Sequence, residues 1–132
     1  MKLLTKEKFL PIFLWLIAIH SFFVGLGLIL SPAEFFEFLG YNNVTERFFP
    51  TQGGVFHILM SVGYFLAVLK IKESYDLVIF SIIVKSTASL FLIIYFLAAL
   101  PKMIILLSGV GDGVMAIILW WSFSKYKLET NL

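Results

Sequence analysis

The chain has 132 residues, of which 61% are hydrophobic, 17% aromatic and only 14% charged, with a net charge of +2. Water-soluble domains carry about 25% charged residues, and a soluble core in so short a chain is too small to hide this much apolar surface, so a bilayer is the solvent that suits it. The basic residues are spread over ends and loops, which gives no nucleic-acid footprint, and the lack of cysteine excludes disulfide exchange, thiolate metal ligation and CxxCH haem attachment.

In chain order, MKLLTKEK precedes an apolar run over residues 9–30, FLPIFLWLIAIHSFFVGLGLIL. That run is longer than the roughly 7–15 residues of a signal-peptide core, so it is expected to stay as span 1. Pro11 is placed in its first turn, where a missing N–H costs little. Gly25 and Gly27 near its far end offer a close approach to a neighbouring helix. Ser31-Pro32 predicts a cap for a short helix through Phe38 that Gly40 stops. Phe35, Phe36, Phe38 and Leu39 alternate there with Glu34 and Glu37, so that helix is expected at the membrane interface. Tyr41-Asn42-Asn43 reads as a turn, and Glu46 with Arg47 as a solvated pair.

Span 2 is expected over residues 51–69, span 3 over 75–98 and span 4 over 103–123, with a short polar tail after it. Each has the roughly 17–25 residues that a bilayer needs, and backbone in hydrocarbon must pair within its own segment, so the spans are helices. No alternating short segments suggest a β-barrel. The fold class that follows is all-α: one integral membrane domain over 1–132, a four-helix antiparallel transmembrane bundle with a short interfacial helix in the first outer loop.

Lys2, Lys6, Lys8, Lys70, Lys72, Lys125 and Lys127 lie on one side and Arg47 and Lys102 on the other, which predicts both termini in the cytoplasm. Trp15, Trp120 and Trp121 fall toward the lysine-rich side, as an aromatic belt does. A short internal echo links Gly54-Val55-Phe56-His57 to Gly109-Val110-Gly111-Asp112, and His20-Ser21 to Lys85-Ser86. It suggests two related helical hairpins.

Each span carries one ionisable residue: His20, His57, Lys85 and Asp112. By helical rise Lys85 lies about 15 Å into span 3 and Asp112 about 14 Å into span 4, so both sit near the midplane. Opposite charges at one depth on adjacent helices are expected to pair, either as a register-fixing ion pair or as a centre that holds a ligand or a proton. The histidines read as interior hydrogen-bonders or as partners in that centre. Bis-histidine haem needs matched depth, which these two lack, and no ligand pair at i, i+3 or i, i+4 suggests a metal. Gly109, Gly111 and Gly113 give span 4 a bare edge for close packing or for local unwinding beside Asp112. GVGDG lacks the GK[ST] ending of a phosphate loop.

The glycine-rich end of span 1 with Ser31-Pro32, Leu39-Gly40, Gly53-Gly54 with His57, Gly63-Tyr64, Lys85 and Gly111-Asp112-Gly113 resemble the DoxX-like group of small four-helix membrane proteins. The resemblance implies a bundle in the cytoplasmic membrane, with some relatives tied to quinone-linked redox or oxidative-stress complexes. It carries over no catalytic residues. Together these readings lean toward an accessory or ligand-binding component rather than a free-standing enzyme, holding a quinone or lipid near His20, His57, Lys85 and Asp112. The rivals are a structural subunit of a larger membrane complex and a proton or small-ion carrier. Membrane lipid, other membrane subunits or further copies of the chain are the expected partners.

Overall fold

A computed structural model describes residues 6–42 and 46–129 of the chain; Asn43 of the expected turn lies outside them. Five helices follow in order: α1 (Lys6–Leu30), α2 (Ala33–Phe38), α3 (Phe48–Lys70), α4 (Asp76–Ala98) and α5 (Met103–Glu129). The four longer ones are long and apolar enough to cross a membrane, so the chain has the build of a multi-pass membrane protein.

Three of the expected boundaries change, the start of span 2 among them, since α3 begins at Phe48 rather than at residue 51. Because α1 begins at Lys6, Pro11 lies inside the helix rather than in its first turn, and its ring replaces an N–H that would have bonded to the carbonyl of Glu7. The expected polar tail instead continues α5 to Glu129. Packing is the reason: Tyr126 is 6% exposed, and Tyr75 at the start of α4 meets it edge-on at 6.3 Å and Phe123 at 5.2 Å.

Packing is closest between α1 and α3 and between α4 and α5, with lesser contacts of α1 to α5 and α3 to α4 closing a ring of four. The apolar core lies toward one end of that ring. Leu10, Leu14 and Ile17 of α1 meet Tyr64, Ala67 and Ile71 from the α3 end, Val78 from the α4 start, and Leu119 and Tyr126 of α5. The inward positions on α1 recur at four- and three-residue steps, one face of a helix.

Polar and apolar residues are sorted the reverse of a soluble domain. Phe23, Phe91, Ile117 and Trp120 are among many large apolar residues exposed on the outside. Ser21, Ser81, Lys85, Ser89, Asp112 and Ser122 are buried. Ser81 and Ser122 satisfy their hydroxyls on carbonyls of their own helices, Leu77 at 2.7 Å and Leu119 at 3.1 Å.

The first connection is pinned by Arg47. Rather than pairing with Glu46, its guanidinium donates to the carbonyls of Ser31 and, at 3.0 Å, Ile29. It also lies 5.3 Å from the ring centre of Phe36. A fixed cation thus satisfies open carbonyls at the C-terminal end of α1, where the helix dipole favours positive charge. No side chain caps α2, contrary to the role expected of Ser31. Gly40 follows α2 with φ of 91°, a backbone angle that a side chain rarely tolerates. Its bare face lies 3.5 Å from the Lys102 side chain, so the connection passes beside the turn between α4 and α5.

Candidate functional site

Lys85 and Asp112 meet. Their helices run side by side because two glycines of α5 remove bulk against α4. A Cβ at Gly109 would come within 3.0 Å of Leu92, and one at Gly113 within 2.7 Å of the Ser89 hydroxyl. Between these two close approaches Lys85 Nζ donates to Asp112 Oδ1 at 2.6 Å. The two side chains are only 3% and 12% exposed. The length is that of a charge-assisted bond.

Tyr64 completes the surroundings. Its ring centre lies 5.7 Å from Lys85 Nζ, and the residue is 2% exposed. A cation beside an aromatic face gains some of the attraction that water would have provided. In the sequence Tyr64 stands out only through the DoxX-like resemblance. The available signal was its place seven residues after His57, on the same face of α3.

The centre has hydrogen-bonding capacity to spare. An ammonium carries three donors and a carboxylate oxygen accepts more than one bond. Among the described residues Lys85 has one acceptor and one ring, and Asp112 Oδ2 accepts no protein hydrogen bond. No side-chain nitrogen or oxygen among them is both fully buried and without a partner, so Asp112 Oδ2 keeps some open surface.

The histidines do not join the pair directly. His57 of α3 is half-buried and pairs with α1: Ser21 Oγ donates to its carbonyl at 2.9 Å and lies 3.3 Å from its Nδ1. His20 is exposed, with no hydrogen bond to Lys85, Asp112 or His57. The reason is helical phase. Leu10, Leu14, Ile17 and Ser21 face inward, and His20 stands 100° round the helix from Ser21. Both histidines nonetheless lie within electrostatic reach of the Lys85 and Asp112 charges.

The α1–α3 pair repeats the α4–α5 scheme. Gly54 packs on Gly25 and Ile29, where a Cβ would fall 2.6 Å from the Gly25 carbonyl oxygen. Three residues later His57 meets Ser21. On α5, Gly109 packs on Leu92 and Ile93, and three residues later Asp112 meets Lys85. The residue in the position of Lys85 is therefore Ser21, one place on from the His20 that the sequence echo aligned.

Gly111 also departs from expectation. A Cβ there, as at Gly27, would meet nothing within 4 Å, so neither glycine is needed for packing within this chain. Backbone unwinding beside Asp112 does not occur either, since α5 is continuous through it.

A groove of about 470 Å³ lies elsewhere, on the seam of α1 and α3, where Trp15, Ile19, Phe22, Ser61 and Phe65 are among its walls. It contains no residue of α4 or α5 and none of the four ionisable residues. Among the described residues no three of His, Asp and Glu converge as a metal-binding set. Compared with family models, with curated proteins and with solved structures, the chain matches none.

Proposed function

We propose that the chain is an accessory component of the cytoplasmic membrane that binds the oxygen-bearing head of an apolar molecule, a quinone or a lipid, at Lys85 and Asp112. The observation that carries this reading is the unfilled hydrogen-bonding capacity of a charged pair deep in the bundle. Lys85 has donors to offer a carbonyl, Asp112 Oδ2 can accept from a hydroxyl, and the Tyr64 ring gives a flat apolar wall. Intramembrane ionisable residues that face a bundle interior are those that function most often explains. The DoxX-like resemblance favours the same reading through its quinone-linked relatives.

The membrane placement goes with it. The connections between α3 and α4, and between α4 and α5, are too short to cross a bilayer, so neighbouring helices run antiparallel. The lysine-rich side faces the cytoplasm, with both chain ends on it. The opposite side holds α2 at the interface, with Phe35 and Phe38 exposed to lipid.

Titration of the protein in nanodiscs with a short-chain benzoquinone tests the reading. Saturable binding that Lys85→Met and Asp112→Asn weaken is expected. No binding, or binding that ignores both changes, refutes it. A second reading, a structural subunit of a larger membrane complex, draws on the ion pair that Lys85 and Asp112 already make with each other. A stoichiometric partner retained in mild detergent, with no quinone bound, would favour it.

A further inference from the structure

We infer that the ligand reaches Lys85 and Asp112 sideways from the membrane, through the seam between α1 and α5, and that His20 is a binding residue for its head. The inference rests on the ligand-binding reading above. It begins with an energetic oddity: an imidazole exposed at mid-span without a hydrogen-bond partner among the described residues. A polar side chain turned to hydrocarbon is costly until something polar meets it.

His20 lies on a definite stripe. Phe9, Phe13, His20, Val24 and Gly27 recur at helical spacing along one side of α1. Phe9 meets Trp121 of α5 edge-on at 6.1 Å, so this stripe is turned to α5. At the Phe9 end the seam is filled by aromatic rings. Toward the C-terminal end of α1 the stripe thins to Gly27, where a Cβ would touch nothing.

The facing helix thins deeper in, nearer the level of His20. Gly109 and Gly113 lie against α4, which puts Gly111 on the opposite flank of α5. A Cβ there would likewise touch nothing, and Ser108 on the same flank is exposed. By helical rise His20 is about 15 Å from Leu30 and Gly111 about 12 Å from Met103, while Asp112 is about 14 Å down. The missing side chain at Gly111, the imidazole of His20 and the charged pair therefore lie near one level, with Gly27 about 10 Å away toward the end of α1.

His20, on the side of α1 turned to α5, stands at the depth of Lys85 and Asp112, and one head group with two oxygens bridges Lys85 and the imidazole. The imidazole donates to a carbonyl or accepts from a hydroxyl according to its tautomer. The tail stays in the bilayer beside α1 and α5, and nothing needs to desolvate through water.

The test uses the same benzoquinone titration and its association kinetics in nanodiscs. His20→Phe is expected to weaken binding about 5- to 10-fold, the worth of one hydrogen bond, and His20→Gln to recover part of that loss. Gly111→Leu is expected to slow association while changing affinity little. Gly63→Leu, at another open glycine, is the control and should change neither. Binding that Lys85→Met abolishes but that His20→Phe and Gly111→Leu leave untouched overturns the entry route and keeps the function. A wild-type protein that binds no quinone removes both. If His20→Phe instead breaks an oligomer into monomers without altering binding, the imidazole serves a contact between copies, and the inference is overturned.

Discussion

Replacing Asp112 with Asn keeps the side-chain size and removes the charge that faces Lys85. The bond lost is 2.6 Å long, and the ammonium left behind belongs to a side chain only 3% exposed. A hydrogen bond to a charged group is worth about 1.5–3 kcal/mol. Stranding one partner of a buried ion pair raises the cost to about 3–5 kcal/mol. Polar contacts in membranes give less, because the unfolded chain also finds partners there. The expected loss is therefore about 3 kcal/mol, the low end of that range. Lys85→Met should cost less, since the carboxylate it strands is the more exposed of the two, at 12%. The double variant Lys85→Met with Asp112→Leu should return to within about 1 kcal/mol of wild type, because no charge is then left unpaired. Unfolding by sodium dodecyl sulfate in mixed micelles, followed by circular dichroism, measures all three. Single variants within 1 kcal/mol of wild type, or a double variant as unstable as the sum of its parts, would refute the reasoning.

Four further expectations concern the frame around the centre. Gly54→Ala forces a methyl to within 2.6 Å of the Gly25 carbonyl oxygen and should cost about 1–3 kcal/mol. Gly27→Ala meets open space and should be neutral or stabilising in the same assay. Ser21→Ala removes the hydroxyl bond to the His57 carbonyl and should cost about 1 kcal/mol, while leaving the Lys85–Asp112 pair intact; an unchanged unfolding midpoint would show that the bond contributes nothing. Arg47→Met leaves the carbonyls of Ile29 and Ser31 without their donor. It should speed amide exchange around residues 46–48, and Arg47→Lys should recover only part of the protection because an ammonium lacks the planar fork.

Much of the bundle was legible in the residues alone, and the exceptions share a cause. Span lengths follow from hydrocarbon thickness, which any apolar run reports directly. The meeting of Lys85 and Asp112 was also readable, because opposite charges at one depth have few other partners in oil. His20 was not. A one-residue change of phase turns a side chain through 100°, and sequence depth says nothing about phase. The tail beyond residue 123 misled in a similar way: its polar composition hid Tyr126, which holds the last turns of α5 against Tyr75.

Residue order alone dictates that this chain is helical, that it has four segments suited to a bilayer, and which few ionisable residues those segments carry. Those properties depend on composition and length, which solvent tests one segment at a time. It takes the packed bundle to turn Ser21 rather than His20 inward, to stand Tyr64 beside Lys85, to hold the end of α1 with Arg47, and to pack Gly109 and Gly113 while Gly111 stays open. Those are matters of rotation and of which helix lies alongside. They are settled when side chains from distant parts of the chain compete for the same space.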